Sequence, residues 1–368
     1  MRQLHVELGE RSYPILIGER LIQSLGDLFF NAGIDPKQKM LVVTDDHVAP
    51  LYLDVVKEQL SSHGFKVYQK VVAAGEQSKS MEVYNEVMTA AIENHLDRQS
   101  VIVALGGGMI GDLAGFVAAT FMRGISFVQV PTTLLAHDSS VGGKVAVNHP
   151  LGKNMIGAFH QPLMVIYDLN TLKTLPRREI LSGYAEVIKH AAIWHEDFFY
   201  WLEQHASELL RLENEFVQDA LYKACQIKAL VVSEDEREEG LRAILNFGHT
   251  LGHALESVCG YTRITHGEGV AVGMSWASLL ASRLGAPLEI HEKIVSVLEK
   301  FNLPTTLPDG IDIAQIIQTM MHDKKVKENR LLLVLPEKIG QVKFNQAVEI
   351  ELIQQVLGSM RRAQRGVS

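Results

Sequence analysis

The stretch from Arg242 to Glu256 reads R-A-I-L-N-F-G-H-T-L-G-H-A-L-E. At 3.6 residues per turn, Arg242, Asn246, His249 and His253 stand at i, i+4, i+7 and i+11, so one helix would carry all four on one face. The remaining circumference carries Ile244, Leu245, Phe247, Leu251, Ala254 and Leu255. This predicts a buried helix whose narrow polar stripe lines a cavity. Polar groups so placed need a metal, a ligand or one another. His249 and His253 have the spacing of the paired ligands in H-E-x-x-H proteins, but Thr250 occupies the place of the base in those enzymes. The alternative is a pair of core histidines satisfied by backbone or carboxylate groups.

Three further groups carry chemistry. Thr265-His266-Gly267-Glu268 precedes a helix rich in Ala, Gly and Ser, where a chain enters a cleft. Two or three histidines with one Glu make a catalytic metal site with positions open for substrate. Glu186, Lys189 and His190 share one face of a helical segment, for which a surface ion pair is the alternative. Gly106, Gly108 and Gly111 satisfy G-x-G-x-x-G between a strand and a helix, where backbone amides can hold a pyrophosphate. No Asp or Glu follows between Asp112 and Asp138, so the ribose acid expected ~20 residues on is missing. Asp45 and Asp46, ending an earlier strand, are better placed, since ligands sit at the carboxyl ends of parallel strands. Lys144 in Asp138-Ser-Ser-Val-Gly-Gly-Lys144 and Lys153 in Gly152-Lys153-Asn154 are flanked by glycine, which suits anion capture; a solvated basic loop is the alternative.

The elements that must position these residues follow from patterning. Apolar strands at Met40–Thr44, Lys66–Val72, Ser100–Leu105, Ile125–Val130 and Leu163–Tyr167 alternate with helical segments, which predicts a parallel sheet covered on both faces. From about Pro176 helices dominate, with a late strand at Leu331–Leu335 that pairs with Lys343–Phe344. The expected fold is therefore α/β: a Rossmann-like parallel-sheet domain over residues 1–175 and a mainly α-helical domain over 176–368. The 368 residues suffice for two domains. A net charge of −8 argues against nucleic acid. Cys225 and Cys259 give neither a disulfide framework nor a C-x-x-C pattern, which suits a reducing cytosol. The N-terminus alternates like a strand rather than a signal peptide, and no apolar run reaches the ~18–20 residues that span a bilayer. The expectation is a soluble cytoplasmic protein without a membrane partner.

In this order, G-E-Q-S-K at 75–79, G-G-G-M-I-G-D at 106–112, P-T-T at 131–133, D-S-S-V-G-G-K at 138–144, G-K-N at 152–154, A-E-V-I-K at 185–189, N-F-G-H-T-L-G-H at 246–253, H-G-E at 266–268 and D-K-K at 323–325 resemble the 3-dehydroquinate synthase family of sugar phosphate cyclases. The resemblance covers most of the chain. It implies one divalent metal, Zn2+ or Co2+, held by Glu186, His249 and His266, with His253 left to face substrate. It also implies NAD held in the first domain around Asp45, Glu76, Lys79, Gly107, Gly108, Asp112, Thr132, Thr133, Thr171 and Thr174, with Lys144 and Lys153 where nicotinamide and substrate meet. By the same carry-over, Lys189, Lys228, Arg242, Asn246, His253 and Asp138 contact the sugar, and Asn154, Arg123 and Lys325 assist with phosphate. Two departures from the family pattern lie nearby: only His137 separates L-L-A from D-S-S, where the family has two residues, and Val145 replaces its Thr.

The implied substrate is a small-molecule sugar phosphate, 3-deoxy-D-arabino-heptulosonate 7-phosphate. The implied chemistry is transient oxidation by NAD, β-elimination of phosphate, re-reduction, and intramolecular aldol closure to 3-dehydroquinate, in a homodimer. Two rivals share parts of the pattern. A sister cyclase acting on another sugar phosphate differs at the carboxylate-binding group, Arg242 with Lys228. A metal-dependent polyol dehydrogenase has no need of Lys144 or Lys153.

Overall fold

A computed structural model of the chain describes residues 1–261, 263–323 and 330–360. The chain packs as two units, Met1–Leu175 with Val217–Arg237, and Pro176–Phe216 with Glu238–Ser368. The first break falls after Leu175. The return of most of the Asn214–Glu234 helix to the first unit is not anticipated by a single cut in the sequence.

The first unit is built on seven strands: β1 (Arg2–Val6), β2 (Tyr13–Gly18), β3 (Lys39–Asp45), β4 (Lys66–Val72), β5 (Val101–Gly106), β6 (Ser126–Pro131) and, after a separate hairpin of β7 (Lys144–His149) and β8 (Gly152–Phe159), β9 (Met164–Asp168). Their order is β1-β2-β9-β6-β5-β3-β4, parallel except for β1 against β2. The unbroken apolar runs of β3 and β5 are explained by two cores. Met40, Val42, Val101, Val103 and Leu105 enter one, while the alternating Leu41, Val43, Ile102 and Ala104 enter the other, as strands buried on both faces require. After β4 the chain crosses to the other side of β3, so the strand order reverses at the carboxyl ends of β3 and β5. Ligands of doubly wound sheets bind at such a point.

Lys144 and Lys153 lie on paired strands rather than on glycine loops. Val145 and Val147 are buried against the Gly108–Thr120 helix in the second of those cores, and this packing makes the segment a hairpin.

The second unit contains the helices Arg177–Trp194, Glu196–Gln204, His249–Val258, His266–Arg283, Leu288–Lys300, Ile313–Asp323 and Ile350–Ser359, with a hairpin of β10 (Arg330–Lys338) and β11 (Gln341–Glu349). The continuous helix expected from Arg242 to Glu256 is not formed. A 3-10 turn spans Leu241–Asn246, Gly248 takes a left-handed φ of 80°, and the α-helix starts at His249. A Cβ on Gly273 would come within 1.8 Å of the Gly248 carbonyl oxygen, so close helix packing, open only to glycine here, breaks the helix. Among the described residues no helix is long and apolar enough to cross a membrane.

Candidate active site

Three helices of the second unit bring Glu186, His249 and His266 together. Glu186 sits mid-helix and fully buried, and each histidine opens its own helix. Glu186 Oε1 lies 3.4 Å from His249 Nε2 and 3.3 Å from His266 Nε2. The other nitrogen of each ring faces a fixed acceptor: His249 Nδ1 the Phe247 carbonyl at 3.2 Å, and His266 Nδ1 the Glu256 carboxylate at 2.7 Å. Each Nε2 is thereby turned toward Glu186. One donor atom from each of the three lies within 4.8 Å of the others, and a two-imidazole, one-carboxylate set suits Zn2+ or Co2+. Burial, aided by the nearby Lys189 ammonium, holds His249 well below its ordinary pKa, in the neutral form that ligates. Burial also opposes charge on His266, but the hydrogen bonds and charges of Glu186 and Glu256 outweigh it and hold that ring up at about 10. A divalent cation held by these donors would take the place of that proton. The donors therefore fit a divalent metal.

The H-G-E motif is accounted for residue by residue. His266 joins the cluster. A Cβ at Gly267 would come within 2.1 Å of the Ser182 carbonyl oxygen on the Glu186 helix, so glycine lets the two helices approach. Glu268 completes a capping box with Thr265 and pairs with Arg178 through contacts of 2.8 and 2.6 Å.

Lys189 forms an ion pair with Glu186, and both side chains are 1% exposed, so this is no surface pair. Arg242 is buried on the 3-10 turn, where Asn246 donates to Glu238 at 2.9 Å. His253 is exposed, with its ring centroid 5.2 Å from that of His249 and 5.9 Å from that of His266. His253, Glu256 and His266 make a second group with metal-binding spacing.

In the first unit, the expected cofactor residues gather at the carboxyl ends of the strands. Asp45 ends β3, and its Oδ1 accepts from the backbone N–H groups of His47 and Val48 at 3.0 Å each. Gly107 and Gly108 open the helix after β5, where Cβ atoms would come within 2.9 Å of Thr133 and 2.7 Å of Ser139. The Thr132 N–H donates to the Gly106 carbonyl, and Thr133 accepts at its carbonyl from Tyr167. Lys79 is buried and paired with Asp112; burial raises the Asp112 pKa, and the Lys79 charge offsets part of that rise. Thr171 is buried on its own 3-10 turn, and the exposed Thr174 shares a 2.6 Å hydrogen bond with Tyr52. Asp138 pairs with Lys228 at 2.9 Å, so the shortened segment before it still brings these two together. Lys144 is exposed and Lys153 half-buried, 3.7 Å from Glu76. Asn154 is exposed beside Lys153, with a left-handed φ of 57°.

Arg123 stands apart. It precedes β6, whereas Thr132 and Thr133 follow it, so a strand's length of roughly 20 Å separates them. It lines a surface hollow with Arg98, His160 and Gln161. Lys325 lies outside the described residues.

Sequence reasoning missed Glu256, Asn148 and Glu238. Glu256 carried a readable signal, standing seven residues after His249 and hence on the same face. Asn148 and Glu238 carried none, because their partners Glu76 and Asn246 are matched by geometry rather than spacing.

Models of the 3-dehydroquinate synthase N-terminal and C-terminal regions match residues 69–182 and 183–326. The chain is 50% identical to a 3-dehydroquinate synthase of Desulforamulus reducens over 93% of its own length and 95% of that protein's. It is 47% identical to one from Geobacillus thermodenitrificans over 95% of each. A 2-deoxy-scyllo-inosose synthase complexed with carbaglucose-6-phosphate, NAD+ and Co2+ matches with a TM-score of 0.89 at 27% identity, covering 98% of this chain and all of that one. A 2-epi-5-epi-valiolone synthase from Streptomyces hygroscopicus with NAD+ and Zn2+ bound matches at 0.86 and 26%, over 96% and 98%. A glycerol dehydrogenase from Schizosaccharomyces pombe, at 17% identity and a TM-score of 0.67 over 94% and 88%, shares the fold alone. Two family models that together span most of the chain, and relatives near half identity over almost all of it, place this protein in the 3-dehydroquinate synthase family.

Proposed function

We propose that this protein is a 3-dehydroquinate synthase that converts 3-deoxy-D-arabino-heptulosonate 7-phosphate to 3-dehydroquinate and phosphate, as a step of aromatic biosynthesis. The observation that carries this reading is the pairing of a cofactor-binding sheet with a hairpin bearing Lys144 and Lys153, cations that simple hydride transfer does not require. Near-half identity to 3-dehydroquinate synthases supports it over the sister cyclases, which stand at 26–27%.

When bound, NAD supplies a reversible hydride acceptor and the metal a Lewis acid for vicinal hydroxyls. Glu186, His249 and His266 would hold the metal. Asp45, Glu76, Lys79, Gly107, Gly108, Asp112, Thr132, Thr133, Thr171 and Thr174 would hold the dinucleotide. The remaining residues fix one conformer of a flexible sugar, which is the larger part of the catalytic task. Arg242 and Lys228 suit the substrate carboxylate, for which Arg offers a planar fork of donors. Lys144 and Lys153 suit the meeting place of nicotinamide and substrate, and Asn154 the departing phosphate. Lys189, Asn246, His253 and Asp138 suit the hydroxyls. Lys325 joins this set as a further phosphate ligand, whereas Arg123, at the opposite end of β6 from the cofactor threonines, is left out of it. The protein is proposed to be a cytoplasmic homodimer.

The test is incubation with the heptulosonate phosphate, a divalent metal and a sub-stoichiometric amount of NAD. Many phosphates released per NAD, with no lasting absorbance from reduced nicotinamide, is the expected result. NADH accumulating mole for mole with the phosphate ester intact would instead assign a polyol dehydrogenase.

A further inference from the structure

The β7–β8 hairpin is set apart from the seven-stranded sheet, and an isolated two-stranded hairpin is marginally stable. Its base is secured by Val145 and Val147, buried against the Gly108–Thr120 helix. Its tip, which bears Lys153 and Asn154, has no such apolar anchor: Leu151 and Met155 beside it are 91% and 74% exposed.

One residue ties the tip to the neighbouring turn. The pairing of β7 with β8 shifts register between Val147 and His149, so Asn148 sits at a bulge with its main chain released from the ladder. Its N–H donates instead to the Lys79 carbonyl at 2.7 Å. Its Nδ2 donates to Glu76 Oε1 at 2.8 Å, and its Oδ1 accepts from the Asn154 N–H at 2.9 Å. One amide thus engages the Glu76–Lys79 turn and the Lys153–Asn154 segment together, and the latter takes a left-handed backbone at Asn154. Glu76 also faces Lys153 at 3.7 Å, while Lys79 is turned to Asp112.

We propose that Asn148 is a positioning residue that sets the lysine-bearing tip of the hairpin against the cofactor turn, so that the residues proposed for NAD and for the phosphate are placed by one side chain. This rests on the proposed function, in which Glu76 and Lys79 hold NAD and Lys153 meets substrate. It predicts that cofactor affinity and substrate KM are coupled through Asn148, although Asn148 need touch neither molecule.

The test uses Asn148→Asp, Asn148→Ala and the double variant Asn148→Asp with Glu76→Gln. In Asn148→Asp the acceptor for Asn154 is kept, but a carboxylate oxygen faces Glu76. Loss of a hydrogen bond to a charged group predicts NAD binding weaker by about tenfold or more, together with a raised KM for the sugar phosphate. Asn148→Ala should show both effects without the added charge. In the double variant the hydrogen bond re-forms with donor and acceptor exchanged. Substrate KM should then return to within roughly threefold of the wild-type value, while NAD affinity stays low because the Glu76 carboxylate is gone. Wild-type NAD affinity and KM in both single variants would overturn the proposal, as would a double variant no better than Asn148→Asp in KM. NAD binding is read by quenching of the protein's tryptophan fluorescence or by calorimetry without substrate, and wild-type phosphate release is the separate control for the function itself.

Discussion

Glu256 offers the most direct measure of how this chain would prepare a metal site. It is 5% exposed and accepts from His266 Nδ1 at 2.7 Å, which turns Nε2 toward Glu186. A charge-assisted hydrogen bond of this kind contributes about 1.5–3 kcal/mol. At about 1.4 kcal/mol per decade, Glu256→Ala should weaken metal binding roughly 10- to 150-fold, in line with the ~10–100-fold typical of groups that orient metal ligands. The His266 side chain is 29% exposed, so water replaces part of the lost contact and the lower half of that range is expected. Glu256→Gln keeps an acceptor without its charge and should retain about half of the free energy. The assay is competition with a chromophoric chelator for Zn2+ or Co2+ on the purified variants, with His249→Ala, His266→Ala and His253→Ala alongside. The first two should lose metal and turnover; His253→Ala should lose turnover and keep metal. Wild-type metal affinity in Glu256→Ala would refute the orienting role. A metal-free His253→Ala protein would move the ion to the His253–Glu256–His266 group.

Three further outcomes are expected. Lys144→Met and Lys153→Met, at exposed and half-buried positions, should change folding stability by no more than about 0.5 kcal/mol while cutting kcat/KM by tenfold or more, read by chemical denaturation and steady-state kinetics. Gly273→Ala should destabilise the protein by about 2–3 kcal/mol in the same denaturation assay and lower its metal content, because its Cβ meets the Gly248 carbonyl at the start of the His249 helix. Burial pushes the Cys225 thiol up to about 12, against a partial pull from Lys228, so a thiol reagent at neutral pH should leave Cys225 unmodified until the protein unfolds, as peptide mapping would show.

The parallel sheet was legible in the sequence because strands buried on both faces read as unbroken apolar runs, as in β3 and β5. The glycine turn after β5 was legible because close approach to Thr133 and Ser139 excludes a side chain there. The break at Gly248 in the helix expected from Arg242 is not legible in the sequence. Periodicity registers spacing but not a packing partner, and it is the backbone approach of Gly273 that breaks the helix there. The hairpin under Lys144 and Lys153 is not legible in the sequence, because glycine and proline outweigh the short Val-Ala-Val run locally, and its burial comes from a helix that precedes it. His249 and His253 invited pairing by spacing alone. His266, thirteen residues beyond His253, approaches Glu186 only through the fold.

The path of the chain also bears on how the protein is made. The first unit is not complete when its sheet has been synthesised, because the helix bearing Cys225 and Lys228 ends at Glu234, 59 residues after Leu175 (234 − 175). At ~5–20 residues per second, a sheet emerging from the ribosome waits about 3–12 s for that helix. During that interval Asp138 lacks Lys228, and the surface that Cys225 covers is open to water. Pro176–Phe216 likewise precedes the rest of its own unit. Neither half can be obtained by cutting the gene once, because each unit is assembled from two separate stretches of the chain.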